Sequence, residues 1–516
     1  MKPSDYPMIR VMFLFIMLIF LGCTMNRKDS RNYYFDPVSG DDRHTGLSPA
    51  KAFKTLQKLN SVRLLPGDSV LLKSGSVFSE PLYISCRGDS AHPVVVSKYG
   101  GEARPAIILD GSVLQAVYVF NSENIVIRDL EISNKGPEAV AGLNGLLVEL
   151  LNYGTAKNIT IDNLFIHDVY GNLDKERQGG GNAMLLANFR DENTDSVPSR
   201  FDGLVVQNCL VKDCRRNGIM MRGIWPRKRW FPNLNVIIRN NTLDGVPGDG
   251  IVPVGCDSPL VEYNVMKNCP PLLPPTEACD GIWPWSCDNA IIQYNIVSGH
   301  QSQVDGYGFD SDWNCTHTLI RYNLSFNNDG GFLLVCNSGG WPDEWSSGNT
   351  GTIVCYNISI NDGLRNYIPD GKKDYFSPLI HMTGPVRNTL IEKNLFYVLK
   401  KKFPGTDKTI LTSNDWSGYA DSTFFRNNYI FTEEPNLAFK PTKSTNNYIE
   451  NNLYKGNLVV TGDGFQKYTG RFDENMWYDV KDENWNNLVR FINDKTITID
   501  GKEINVTGII GYYGKK

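Results

Sequence analysis

Asp249-Gly250, Asp280-Gly281 and Asp305-Gly306 set an aspartate before a glycine three times within one stretch of the chain, and Asp329-Gly330 follows. If these pairs sit on successive stacked coils, about 4.8 Å apart, neighbouring carboxylates stand about 5 Å apart and alternate ones about 10 Å. Paired carboxylates cleave glycosidic bonds at similar separations. Like charges that close raise at least one pKa, leaving a protonated acid beside an ionised base or nucleophile. The competing reading is a column of turn aspartates held by backbone N–H groups, or a calcium site.

The peptide VDGYGFDSD, from Val304 to Asp312, breaks the local repeat. Aligning Cys287 with Cys315 sets Asp310 opposite Ile282 and Asp312 opposite Pro284. Keeping Asp305 in the Asp-Gly column forces three extra residues to bulge before Cys315, and bulges re-aim side chains at active sites. The expected acid and base are Asp305 with Asp310 or Asp312, and Asp280 one coil away.

Seven of the ten tryptophans lie between Arg215 and Trp345. A flat indole on a groove stacks on a sugar ring, so Trp283, Trp285 and Trp313 are expected to line sugar subsites; mutual loop packing would claim some of the seven. The same stretch carries Arg215, Arg216, Arg222, Arg227, Lys228 and Arg229 with no acid among them. A guanidinium grips a carboxylate through two parallel hydrogen bonds, which makes Arg222 and Arg227, with Asp249, candidate binders of uronic acids or sulfate. A solvated loop balanced by acids elsewhere is the alternative.

The elements that position these residues come from a repeat. A short β-branched run followed by Asn or Asp recurs with its polar residue at Asp129, Asn163, Asn208, Asn264, Asn295, Asn323, Asn357, Asn394 and Asn428, and one more copy is expected near Asn241. From Asn264 the steps are 31, 28, 34, 37 and 34 residues. Such periods mean stacked coils or propeller blades, and the regular hairpin signals of blades are missing. The pattern predicts an all-β chain: a single-stranded right-handed parallel β-helix whose bend asparagines stack in a hydrogen-bonded ladder. Cys256, Cys287 and Cys315 each stand eight residues before one of these asparagines, which reads as a stack of small core residues rather than a disulfide framework. Solenoid ends need caps. A helix over 48–59, with Phe53, Leu56 and Leu59 near one face, is expected at the N-terminal end, and a short cap at the other. The organisation expected is 1–22 signal peptide, 23–32 tether, 33–105 N-terminal cap and first strands, 106–455 repeats and 456–516 C-terminal cap.

Lys2 and Arg10 precede an apolar run over 11–21, too short to span a membrane and suited to a signal-peptide core. It ends in Phe20-Leu21-Gly22-Cys23, which resembles a bacterial lipobox and implies lipidation at Cys23. The expected location is therefore the outer membrane, on its periplasmic or cell-surface side, through an N-terminal lipid anchor. The 516 residues carry 52 Lys+Arg against 56 Asp+Glu, so a partner such as nucleic acid is disfavoured, and a monomer is expected. Asparagine and glycine, 50 and 47 residues, suit turns rather than helices. No Cys/His spacing fits zinc.

The entry segment YYFDPVSGDDRHTGLSPAKAFKTLQKL, followed by PGDSVLLKSG, resembles exported parallel β-helix proteins of the pectate lyase and polygalacturonase superfamily. Copies such as FDSDWNCTHTLIRYNLSFNNDGGFLLVC resemble lipoproteins of that kind from gut Bacteroidetes. The resemblance implies a carbohydrate-active enzyme for acidic or plant-type polysaccharides. The VDG at Asp305 is similar to the NTDG of polygalacturonases, whose Asp is catalytic, but the paired Asp of the next motif stands here as Asn328-Asp329 and the GHG and RIK motifs are not evident. Abundant acids favour hydrolysis, which needs no metal or cofactor. Elimination by a uronate lyase, with calcium and a Lys or Arg base such as Arg222 or Lys228, is the runner-up, and a non-catalytic glycan-binding surface protein would use the same Trp and Arg.

Overall fold

The computed structural model describes residues 30–175, 180–363, 365–432 and 434–455, with strand backbone further on at 458–460, 465–472, 497–499 and 502–504. The signal sequence and Cys23 lie outside the described residues. The chain is a right-handed parallel β-helix. Strand stacks on strand in register, so that Ile127, Ile161, Val206, Ile238, Val261, Ile292, Ile320, Val354 and Ile391 form one inward column, all fully buried. Each such side chain contributes up to about 1.5–3 kcal/mol relative to exposure, and β-branched residues fit the pleat because their rotamers are already restricted.

Each coil turns at a residue with positive φ followed by a buried, inward one. From Asn241 onward the inward residue is asparagine: Asn241, Asn264, Asn295, Asn323, Asn357 and Asn394 each donate a side-chain N–H to the next ladder amide oxygen at 3.0–3.1 Å. The first three repeat residues sit one position earlier. Asp129, Asn163 and Asn208 occupy the positive-φ corner, with φ of 62°, 54° and 57°, and Cys209 stands where the ladder later begins, its N–H donating to Asn241. The alignment by residue type was therefore off by one there, because Asn suits both the left-handed corner and the inward ladder. Outside the later bends the corner is taken by Tyr263, Tyr294, Tyr322 and Tyr356, whose rings stack 5.0–5.3 Å apart.

The N-terminal segment packs as expected but not as one helix. It forms two short 3-10 turns, Pro49–Lys51 and Leu56–Ser61, separated where Phe53 makes a bridge to Phe35. Phe53, Leu56 and Leu59 are all buried in the core. The i+3 spacing that suggested an α-helix is equally served by 3-10 turns. At the other end, coil stacking runs past the expected boundary at 455: Asn447–Lys455 pairs in parallel with Phe465–Phe472.

The face that matters for chemistry is a third sheet. Six strands from Leu82–Ile84 to Ile251–Val252 form its first part, and six from Tyr307–Ser311 onward its second. Between them the coil DGIWPWS is joined by isolated bridges, Ile251 to Ile282 to Phe309 and Val254 to Trp285. Pro253 and Pro284 lie in register there, and proline gives no ladder N–H, so the regular ladder is interrupted at this point.

Candidate functional site

The acids gather at this interruption. Asn144, Asn182 and Asn217 stack down the face, each later amide donating to the one before at 2.8–2.9 Å. Asp249 and Asp280 continue the column as carboxylates: Asp249 accepts the Asp280 N–H at 3.2 Å and Asp280 the Tyr307 N–H at 2.5 Å. The column then reaches Tyr307, not Asp305. Asp305 instead pairs with Cys279, and the pairing offset grows from 26 residues at Cys279 and Asp305, to 27 at Ile282 and Phe309, to 28 at Asp288 and Thr316. Two separate one-residue slips thus replace the single bulge of three, and Phe309 rather than Asp310 lies opposite Ile282. The first slip holds Asp305 at φ 59° and Gly306 at φ 82°, which turns the Asp305 side chain out of the Asp-Gly column.

Asp249 is not free for substrate. Its carboxylate and that of Glu277 flank the fully buried Arg216 guanidinium, 3.5 and 3.1 Å away. Among the described residues the other four acids form no such ion pair. Asp280 and Asp310 are buried, at 4% and 2% exposure, while Asp305 and Asp312 are half-buried and reachable. Burial, followed by the nearby Asp305 charge, raises Asp280 well above the usual carboxylate range; burial, followed by Asp312, does the same for Asp310. Asp305 is pushed up to about 6 by burial and then by Asp312, with Lys175 and Arg365 opposing. Burial also raises Asp312, but the Cys336 thiol, the Trp313 N–H and Lys175 pull it back. Oxygens of Asp310 and Asp312 and the Cys336 sulfur lie within 4.8 Å of one another. One Asp310 oxygen has no hydrogen-bond partner among the described residues, nor do the indole N–H groups of Trp283 and Trp313 or either nitrogen of the buried His381. A buried polar atom left unpaired is costly, so this cluster is built to meet something polar.

Trp285 and Trp313 pack 5.9 Å apart in a five-membered cluster with Trp225, Trp341 and Trp345. Trp313 and Trp283 are largely buried, at 6% and 9%, while Trp341 is 47% exposed. Mutual packing therefore accounts for more of these rings than the expected platform did, and Trp341 offers the open indole. Arg227 is likewise committed: its guanidinium grips Asp288 through bonds of 2.8 and 2.9 Å, reaches Asn314, and stacks on Trp230. Lys228 pairs with Glu192 and Arg229 donates to the Asp195 carbonyl, so Arg216, Arg227 and Lys228 are neutralised by acids and Arg229 is tied to backbone. Arg222 is exposed on the same face beside Glu149.

Lys175, Cys336 and Arg365 escaped the sequence reading. Arg365 follows Asp362-Gly363, a further Asp-Gly pair that could have drawn notice. Lys175 and Cys336 carry no local signal, because their roles depend on coils far apart in sequence.

A family model described as "Right handed beta helix region" matches residues 188–350. The chain is similar to a lacto-N-biosidase of Bifidobacterium longum subsp. longum, 27% identical over 80% of this chain and 31% of that protein. It also resembles two crystal structures of a GH136 lacto-N-biosidase from Eubacterium ramulus. The native protein gives a TM-score of 0.56 at 24% identity, over 73% of this chain and 66% of the other; the selenomethionine derivative gives 0.58 at 23%, over 83% and 68%. The chain thus spans under a third of the length of the curated relative it matches.

Proposed function

We propose that the protein is a glycoside hydrolase in which Asp305 is the general acid and Asp312 the carboxylate that meets the developing charge on the sugar. The observation that carries this is the contrast among the four acids: Asp305 and Asp312 are the reachable ones, and of these two Asp312 is the one held by the Trp313 N–H and the Cys336 thiol. Asp305, near 6, holds a proton to give the glycosidic oxygen as the bond breaks. Asp312, supported by the Trp313 N–H and the Cys336 thiol, opposes the positive charge at the anomeric carbon, and water completes the cleavage. Asp280 and Asp310, buried and raised well above the usual carboxylate range, stand behind the pair rather than reacting. Likeness to proteins named lacto-N-biosidase supports hydrolysis over elimination.

The test is a glycan panel read two ways, by new reducing ends and by the ultraviolet absorbance of an unsaturated product. Reducing ends alone are expected; unsaturated product would mean a lyase, and binding without either a lectin. On a cleaved substrate, Asp305→Asn and Asp312→Asn should each cost on the order of 10² to 10⁴ in kcat. Asp280→Asn keeps an oxygen for the Tyr307 N–H and should stay within about tenfold of the parent. Equal losses at Asp280 and Asp305 would defeat the assignment. We also propose export and anchoring through a lipid on Cys23, on the strength of the 11–23 segment.

A further inference from the structure

A cavity of about 340 Å³ opens on the same face, toward the N-terminal end. Pockets that take small ligands run from about 300 to 1,000 Å³. Strand register places Arg222 three coils and Glu149 five coils from Asp312, or roughly 14 and 24 Å along the face. It is therefore separate from the acids.

Leu147, Leu185 and Ala187 form its floor, a small apolar cluster distinct from the main core, with Tyr118 and Met220 packed against it. These side chains are already buried, at 7%, 6% and 3% exposure, so they give the cavity a dry apolar floor. At its edge Glu149 is already neutralised. Arg190 grips both of its oxygens at 2.7 and 2.8 Å, and the Tyr118 hydroxyl donates to it at 2.5 Å. Arg222 lines the same cavity, and among the described residues its guanidinium has no hydrogen-bonding partner. One uncompensated positive charge thus stands over a flat apolar floor with an aromatic ring beside it.

We infer that this cavity is a second glycan-binding site for an anionic sugar residue, whose carboxylate or sulfate Arg222 receives while the ring lies on Leu147 and Leu185 beside Tyr118. A carboxylate meets the guanidinium fork through two parallel hydrogen bonds, and a sulfate offers it three oxygens. The faces of a sugar ring present C–H groups to leucine and tyrosine. The inference rests on reading this face as a glycan groove, but not on cleavage occurring there.

The experiment is calorimetric titration of the full chain carrying Asp312→Asn, in which turnover of any substrate is slowed. Three ligands are compared: a trigalacturonate, a sulfated galactotriose and neutral galactotriose. At least one anionic ligand is expected to bind roughly tenfold or more tightly than the neutral one, about 1.4 kcal/mol, and to weaken as salt is raised. Which of the two binds identifies carboxylate or sulfate as the group received. Arg222→Gln should bring the anionic ligand down to the neutral level without lowering Tm, since the side chain is exposed. Equal affinity for all three ligands, no binding of either anion, or a change under about twofold on Arg222→Gln would overturn the inference. Failure of the parent protein to cleave any glycan would overturn the proposed reaction while leaving this binding result standing.

Discussion

The guanidinium of Arg365 donates to the carbonyl oxygen of Asp305 at 2.8 Å. The same buried group reaches the carbonyls of Ser302, at 2.8 Å, and Phe376, at 2.6 Å. It thereby pins the loop on both sides of a residue held at φ 59°. A non-glycine residue in that region stores roughly 1–3 kcal/mol and persists only where its surroundings over-determine it. The clamp supplies that constraint and also places a positive charge near the acid.

Arg365→Met should therefore act twice. Losing the cation removes a charge that holds Asp305 down, so its pKa rises further above about 6. The alkaline limb of kcat against pH, where the general acid loses its proton, should move up by on the order of one unit, while kcat itself falls as the loop relaxes. Arg365→Lys should restore part of the limb. A profile that keeps its shape and only drops in height would mean the residue is merely structural.

Asp305 also links stability to pH. Its folded pKa, about 6, lies above the ordinary 3.8, so the folded state binds the proton more tightly than the unfolded one. The resulting stability is present at low pH and is lost as pH climbs from about 4 through 6. Asp305→Asn removes the effect. Its Tm should exceed the parent's by a few degrees near pH 8, and the gap should narrow toward pH 4 and close below it, where the parent carboxyl becomes protonated in both states. A variant less stable than the parent at both pH values would contradict the burial argument.

All ten cysteines after Cys23 are free and buried, and the Cys287 N–H donates to the Cys315 sulfur at 3.5 Å within the expected stack. Burial pushes the thiols of Cys287 and Cys315 far up, so they should be inert to alkylation in the folded protein and should all react once it is unfolded. Cys287→Ala should cost about 1 kcal/mol through a small cavity. A cross-linked Cys287 peptide in mass spectrometry would refute the stack.

If Cys23 carries a lipid, Cys23→Ser should move the protein from the membrane fraction to the soluble one without altering its catalytic constants. Unchanged partitioning into detergent would rule out the anchor.

The β-branched runs and their asparagines dictated the coil, because the alternation of inward apolar and bend polar residues is local and is renewed every 28 to 37 residues from Asn264 to Asn428. The thiol stack was legible for the same reason: Cys256, Cys287 and Cys315 hold one fixed distance from the ladder. The cluster of acids and tryptophans could be located along the chain but not resolved into roles. Those depended on pairing offsets of 26, 27 and 28 residues within a single coil, and a one-residue slip changes which side chain faces out. Neither slip leaves a mark in residue type. Charge partners were equally hidden. Arg227 meets Asp288 across 61 positions, Arg216 meets Asp249 and Glu277 from another coil, and Arg365 reaches Asp305 across 60. Only stacking the coils decides which arginine is neutralised and which, like Arg222, is left to meet a ligand, because neighbours in a solenoid are about 4.8 Å apart in space but a whole coil apart in sequence.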